Sequence, residues 1–287
     1  MDSHRPPQRS ARPAAGADVG ATLVKLALRD ASGATETLAV PAAALDAAAE
    51  RIREIGSEDV GLTGGGAPKL AERVALPSIT VGEFEAWAAG ARALLEDDMP
   101  PAERFLLVSM GTGTSIMLVE PDGVSRVGGT ALGGGTVVGL GAAMLGEHDF
   151  ETIAALAREG DRRRVDLLVS DIYPDGDSPL PGDVNAASFG KLAQPGAAPV
   201  ARADLANAIM GLVGENVGLL TAGLAARHGT ERVVFGGSTL RGNPTLAEIV
   251  GGLCRVLGHL PLFPPEGQYA GALGALTLGS ARSAPTR

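Results

Sequence analysis

Ala14-Ala15-Gly16-Ala17-Asp18-Val19-Gly20-Ala21-Thr22-Leu23-Val24-Lys25-Leu26-Ala27-Leu28 is the stretch that decides the fold. An apolar strand, Ala14 to Val19, turns at Asp18-Val19-Gly20-Ala21-Thr22 into a second strand, Leu23 to Leu28, and a third strand-like run, Glu36 to Val40, follows Ser32-Gly33. The same order returns later: Phe105 to Ser109, Gly111-Thr112-Gly113-Thr114-Ser115, Ile116 to Val119, and Val124 to Val127 after Pro121-Asp122-Gly123. A strand-turn-strand-turn-strand unit written twice predicts a duplication. Glycine has no Cβ and lets backbone N–H groups close around phosphate oxygens. Two such turns facing one another are therefore expected to hold a nucleotide's phosphates between two domains.

Composition limits the alternatives. The 287 residues are 45% hydrophobic and 3% aromatic, enough for two ordinary cores packed by Ala, Val, Leu and Gly. A net charge of −9 argues against nucleic acid or an anionic membrane as the main partner, so bound phosphate must be held by local groups and metal. Cys254 is the single cysteine, which excludes a disulfide framework, a Cys-rich zinc site and an iron–sulfur cluster ligated within one chain, and points to a reducing cytoplasm. The four histidines, His4, His148, His228 and His259, show no metal or triad spacing. Residues 1–15, with Arg5, Arg9, Arg12, Pro6, Pro7 and Pro13 and no apolar core of a signal, read as a disordered tail. No apolar run elsewhere reaches membrane-spanning length without Gly or charge, so a soluble protein is expected.

Between the turn units, Ala42 to Ile55 reads as an amphipathic helix and Val60 to Thr63 as a short strand ending in Gly64-Gly65-Gly66. Glu83 to Asp97 carries Phe84, Trp87, Ala88, Ala91, Leu94 and Leu95 at helical spacing, and Pro100-Pro101 stops it. The domain boundary is expected there, giving domains at 16–101 and 102–287. In the second, Gly133-Gly134-Gly135 opens a helix from Thr136 to Leu145. Leu205, Ile209, Leu212, Val213, Val217, Leu220 and Leu224 mark one face of a long helix capped by Gly229. A strand, Arg232 to Phe235, runs into Gly236-Gly237-Ser238, and Tyr269-Ala270-Gly271-Ala272 opens a last helix. The fold class is α/β with mixed sheets.

In order along the chain, Asp-x-Gly-x-Thr-Leu-x-Lys (Asp18 to Lys25), Leu62 to Gly65, Glu83-Phe84-Glu85-Ala86 and Gly111 to Ser115 resemble the type II pantothenate kinases. So do Arg126 to Gly135, Asp166 to Tyr173, Leu180 to Asp183 and Ser188 to Lys191, and the likeness runs from about Gly16 to Leu278. The resemblance implies a duplicated actin-like (ribonuclease H-like) two-domain kinase fold with an interdomain nucleotide cleft. It also implies a homodimer, and phosphorylation of pantothenate by ATP and Mg²⁺ on the way to coenzyme A. Other kinases of this fold, acting on pantetheine or a sugar, are the nearest alternative; a nucleotide-sensing module without turnover is another. An activator ATPase of the radical dehydratase type would need cysteines to bridge a cluster.

Phosphoryl transfer needs a base, a metal and positive charge on the transferring group. Glu83 opens a helix, where the dipole favours an ionised carboxylate; without the resemblance it would read as a helix stabiliser. Gly82 stands as an insertion before it, and Glu85 is the competing acid. Asp18 suits Mg²⁺ held through water, or alternatively an Asx turn. Ala21 replaces the family's usual second glycine and resists positive φ. Arg126 is the candidate for the charge on the transferring phosphoryl group, or else a solvated strand-end arginine. ATP is expected on Gly20, Ala21, Thr22 and Lys25, on Gly111, Thr112 and Gly113, on Gly134, Gly135, Thr136, Val137 and Val138 at a helix N-terminus, and on Phe150, Gly237 and Ser238. Gly128 and Tyr173 are the expected substrate-side residues beside Glu83 and Arg126. The dimer is expected through the Leu205–Leu224 helix, whose Gly211, Val213, Gly214, Val217 and Gly218 would admit another helix.

Overall fold

The computed structural model describes residues 12–178, 181–196 and 199–283. His4, Arg5 and Arg9 of the expected tail, and Leu180 of the family pattern, lie outside the described residues. The chain opens with β1 (Ala14–Val19), β2 (Leu23–Arg29), β3 (Thr35–Pro41), α1 (Leu45–Glu54), β4 (Asp59–Thr63), α2 (Ala67–Val74), β5 (Ser78–Thr80) and α3 (Glu83–Leu94). It continues with β6 (Phe105–Met110), β7 (Thr114–Glu120), β8 (Gly123–Thr130), α4 (Gly134–Leu145) and α5 (Phe150–Glu159). An excursion of β9 (Leu167–Leu168), α6 (Val169–Ile172) and β10 (Asn185–Ala187) follows, then α7 (Arg202–His228), β11 (Arg232–Gly236), α8 (Pro244–Val256), β12 (Leu260–Leu262) and α9 (Ala270–Ser283).

Two compact units result. One comprises the described parts of Met1–Glu103 and Pro264–Arg287 with Val119–Ser125; the other comprises Arg104–Leu118 and Arg126–Phe263. The change of unit after Glu103 lies next to Pro100-Pro101, but the closing segment, which the sequence reading left in the second domain, returns to the first because α9 packs there. The first sheet runs β3-β2-β1-β4-β5 and the second, read from its β8 edge, β8-β7-β6-β11-β12. The two orders are equivalent, and in each the fourth strand is parallel to the first of its unit, β4 to β1 and β11 to β6. The duplication written in the turns is thus present in the topology.

Alternation along β1 sends Ala15, Ala17 and Val19 to one face of the first sheet, where they meet Ile52 of α1 and Leu70 and Val74 of α2. Ala14 faces α9, against Ala272 and Leu276. The contact is backbone-close: a Cβ on Gly16 would strike the Ala272 carbonyl, one on Gly61 that of Ala275, and one on Gly90 of α3 that of Ala270. Asp18 is the last residue on the α9 face of β1, which sets its carboxylate beside the first turn of α9.

In the second unit Phe235 stacks on Phe263 with centroids 5.0 Å apart, a geometry worth about 0.5–1.5 kcal/mol beyond area burial. α7 is the described helix long and apolar enough to cross a membrane, yet 61% of that stretch is buried inside the protein. Its small-residue face, expected at a dimer contact, is internal. Gly214 lies against Ile249 and Gly218 against Leu253 of α8, and Gly211 receives the Arg162 guanidinium. Outward-facing residues of α7 include Asn216, Leu219 and Gly223.

Candidate active site

The first unit gathers its charged residues at one end of the β1–β4 strands. Asp18 is opposite Lys25 across β1–β2 and beside Thr63 across β1–β4. Lys25 Nζ stands 3.6 Å from Asp18 Oδ2, with the two side chains only 11% and 8% exposed. The same ammonium lies over the Trp87 ring, 5.5 Å from the centroid. Burial raises the Asp18 pKa, and the Lys25 charge opposes that rise.

Glu83 is the first residue of α3, and Gly82 caps the helix without a side chain. The residue is solvent-exposed, but its carboxyl is shielded enough that burial is the largest cause of its raised pKa; the Asp18 charge adds to the rise and Lys25 opposes it. This direction is opposite to the helix-end expectation, because desolvation and a neighbouring acid outweigh the dipole. Glu85 turns elsewhere: its carboxylate folds back over the Cα of Gly82. The two acids of Glu-Phe-Glu are thereby separated, one facing Asp18 and Lys25 and the other lying over the helix start.

Thr63, Trp87 and Gly271 complete this corner, and the residue-by-residue sequence reading had given none of them a role here. A methyl on Gly271 would stand 2.7 Å from Asp18 Oδ2 and 3.0 Å from Trp87 Nε1. Thr63 Oγ1 is buried without a hydrogen-bond partner among the described residues. Thr63 meets Asp18 through the parallel β1–β4 register and Gly271 meets it across more than 250 positions of chain; both pairings depend on chain return and were not legible. The turn itself closes with Gly20 N donating to Leu23 O at 3.0 Å, and Gly20, Ala21 and Thr22 are exposed. Ala75 and Phe189 are the non-glycine residues of positive φ among those described, so Ala21 takes an ordinary φ and the replacement of glycine costs nothing there.

The second unit's glycine turns interlock. Gly134 N donates to Gly111 O at 2.8 Å and Gly135 N to Thr112 O at 2.9 Å. Thr239 Oγ1 donates to the same Gly111 oxygen at 2.7 Å. The first two N–H groups of α4 are therefore spent on the Gly111–Gly113 turn, and close packing accounts for much of Gly133–Gly135. A Cβ on Gly133 would stand 2.7 Å from Thr112 O and 2.8 Å from Gly113 Cα. Val137 points into the core at 0% exposure, and its N–H continues the helix to Gly133 O. Gly237, at φ +110°, presses against the Met110 backbone so closely that a side chain has no space. It carries Ser238 and Thr239 to the same turn.

The remaining candidates are spread over the second unit. Arg126 is exposed, has no ion pair among the described residues, and lays its guanidinium over Gly129. Gly128 packs on Leu224 of α7. Phe150 starts α5 and is partly buried against the main hydrophobic cluster, while Val138 is partly exposed on α4. Tyr173 is 48% exposed at the end of α6. Its excursion is pinned by Lys191 Nζ on Asp171 at 2.7 Å, by Asp166 accepting the Phe189 N–H at 2.9 Å, and by Asn185 on Glu215 at 2.9 Å.

A family profile described as Fumble matches residues 91–278. A type II pantothenate kinase of Staphylococcus aureus (strain MRSA252) is 32% identical over 264 residues, covering 92% of this chain and 98% of the relative. One from Staphylococcus haemolyticus is 34% identical, covering 77% and 83%. Among solved structures, the activator of the 2-hydroxyisocaproyl-CoA dehydratase from Clostridium difficile with bound ADPNP superposes with a TM-score of 0.66 at 14% identity, covering 96% of this chain and 99% of the other. A ROK family glucokinase from Streptomyces griseus in complex with glucose and AMPPNP gives 0.57 at 16%, covering 94% and 99%. At those identities the likeness concerns fold alone, and the fold is the duplicated actin-like one the sequence resemblance implied.

Proposed function

The chain belongs to the type II pantothenate kinase family, and from that premise we propose that it transfers the γ-phosphoryl group of ATP to the 4′-hydroxyl of pantothenate. The products are 4′-phosphopantothenate and ADP, the first step towards coenzyme A. The observation that carries the residue roles is the placement of Glu83 beside Asp18 and Lys25. A carboxylate whose pKa is raised by burial and by a neighbouring acid is a stronger base than an ordinary glutamate. Glu83 takes the hydroxyl proton as the alcohol oxygen bonds to phosphorus and the bond to the ADP oxygen breaks. Lys25, held between Asp18 and Trp87, offers its ammonium to phosphate oxygens. Arg126, exposed and without a carboxylate partner among the described residues, is free to engage the transferring group.

Asp18 suits Mg²⁺ on its donor chemistry. It is a hard carboxylate donor paired with the Lys25 ammonium at 3.6 Å, and no group of three or more His, Cys, Asp or Glu that could cage a cation occurs among the described residues. Mg²⁺ characteristically keeps waters and binds through one or two carboxylates plus substrate phosphates. Asp18 would hold the ion through water, and the bound ion would supply charge neutralisation to the transferring phosphoryl group. The backbone of Gly111–Gly113, the Thr136 end of α4 and Ser238 are the groups we assign to the nucleotide in the second unit, with Gly20–Thr22 in the first and Phe150 for the base. Gly128 and Tyr173 belong on the pantothenate side.

A coupled ADP-release assay tests the reading: pantothenate should accelerate release in the presence of Mg²⁺, and stimulation by pantetheine or hexoses alone would replace the substrate. We also propose a homodimer through the outward side of α7, where Leu219 is 54% exposed. A monomeric mass by light scattering at micromolar concentration would count against it.

A further inference from the structure

Trp87 is the single tryptophan of the chain and is 3% exposed, one turn into α3. A buried aromatic there could simply fill the space between α3 and α9. Its neighbours indicate more. The Lys25 ammonium lies over the ring, 5.5 Å from its centroid, and the same ammonium is 3.6 Å from Asp18 Oδ2. The ring edge shares the Gly271 contact with that carboxylate, since a methyl on Gly271 would stand 3.0 Å from Trp87 Nε1 and 2.7 Å from Asp18 Oδ2. Aromatic ring, ammonium and carboxylate thus lock one another, against a helix turn with no room for an extra carbon.

We propose that Trp87 is a positioning residue for the phosphoryl transfer: its ring fixes the Lys25 ammonium beside Asp18 so that the cation is in place before the nucleotide binds. Lysine carries a flexible four-carbon stem, and ordering it at the moment of binding would weaken its hold on phosphate. An aromatic face supplies an electrostatic attraction for the cation that an aliphatic side chain of similar bulk lacks. Trp87 touches no reacting atom and acts through Lys25. The inference rests on the kinase reading above, and its test includes a readout that does not depend on pantothenate turnover.

The test is a double-mutant cycle of Trp87→Leu with Lys25→Met in the full chain, with Trp87→Phe as the conservative variant. Trp87→Leu is expected to lower kcat/KM for ATP about five- to thirty-fold, the scale of a partly to fully desolvated cation–π contact, with KM for pantothenate nearly unchanged. Trp87→Phe should recover most of the loss. Lys25→Met should cost markedly less in the Trp87→Leu background than in the wild type, because the two act as one unit. A purely space-filling tryptophan would give additive losses. The second readout is intrinsic fluorescence, which comes from this one tryptophan: Lys25→Met should shift its emission, and Mg·ATP should shift it in the wild type. If pantothenate is not a substrate but both shifts occur, the substrate reading fails and the positioning role stands. Additive losses with emission indifferent to Lys25→Met would overturn the positioning role while leaving the kinase intact. Should Trp87→Leu fail to fold, Trp87→Met takes its place in the cycle, and with the wild-type fluorescence it decides the matter by the same criteria.

Discussion

The two units begin with the same three strands and the same glycine turn, yet their turns end in opposite chemistry. In the first, titratable side chains meet: burial raises both carboxyl pKa values, Lys25 opposes the rise at Asp18 and at Glu83, and the Asp18 charge adds to the rise at Glu83. In the second, the Gly111–Gly113 turn meets Gly134, Gly135 and Thr239 through backbone and hydroxyl groups. One duplicated frame carries a cluster of titratable side chains in one copy and a backbone-bonded glycine cradle in the other. The lesson is that geometry can be duplicated while charge is not. Mutations in the first unit should therefore strike kcat, and mutations in the second should strike stability and nucleotide affinity.

The largest expected effect is at Glu83. Glu83→Gln keeps shape and removes the base, so kcat should fall about 10²–10⁴-fold with ATP affinity nearly unchanged. Glu85→Gln should stay near wild type, because its carboxylate lies over Gly82; the reverse pattern would transfer the base to Glu85. Next is Arg126→Met, the one second-unit residue expected to break the division. If its guanidinium engages the transferring group mainly in the transition state, kcat and kcat/KM should drop together by about 10²–10³-fold, with partial recovery in Arg126→Lys. Unaltered steady-state kinetics would leave Arg126 a solvated strand-end residue.

Smaller effects sharpen the comparison. Gly133→Ala drives a methyl into Thr112 O and Gly113 Cα, and overpacking of this kind costs about 1–3 kcal/mol. Melting temperature should fall and KM for ATP should rise, with kcat less affected. A kcat loss without destabilisation would contradict the cradle assignment. The raised pKa of Glu83 makes two further predictions. The acidic limb of kcat/KM should lie above the usual carboxylate range, since the base works only once ionised. A carboxyl whose pKa is higher folded than unfolded stabilises the fold fully below its unfolded pKa and loses that contribution as pH rises through the folded value. At neutral pH the Glu83 charge is therefore a small burden on the fold, and Glu83→Gln should melt no lower than wild type. A clear drop in its melting temperature would argue against the raised value.

Much of this was legible in the sequence because it is local. Strand alternation and the Gly20 and Gly111–Gly113 turns announced the duplication, and Asp18-x-Gly-x-Thr-x-x-Lys25 placed an acid and a base on paired strands. What was not legible depends on chain return. α9 comes back to the first unit through small residues whose periodicity carries no address, so neither the return of the closing segment nor the Gly271 contact with Asp18 could be read. The small face of α7 suggested an external helix partner for the same reason: glycine spacing signals close approach without saying to what, and Ile249 and Leu253 of α8 fill it. Glu83 illustrates a third limit. Its helix position predicted an easily ionised carboxylate, but desolvation and Asp18, set by tertiary packing, reverse the direction.

This chain is expected to make 4′-phosphopantothenate with Glu83 as its base. The most direct measurement is a single-turnover quench with excess enzyme, Mg²⁺, labelled ATP and pantothenate, with products identified by mass spectrometry for the wild type and Glu83→Gln. The wild type should place phosphate on the 4′-oxygen of pantothenate, and the Gln variant should hold ATP bound but unreacted. Phosphopantothenate formed at equal rates by both proteins, or no pantothenate product from the wild type, would contradict that expectation.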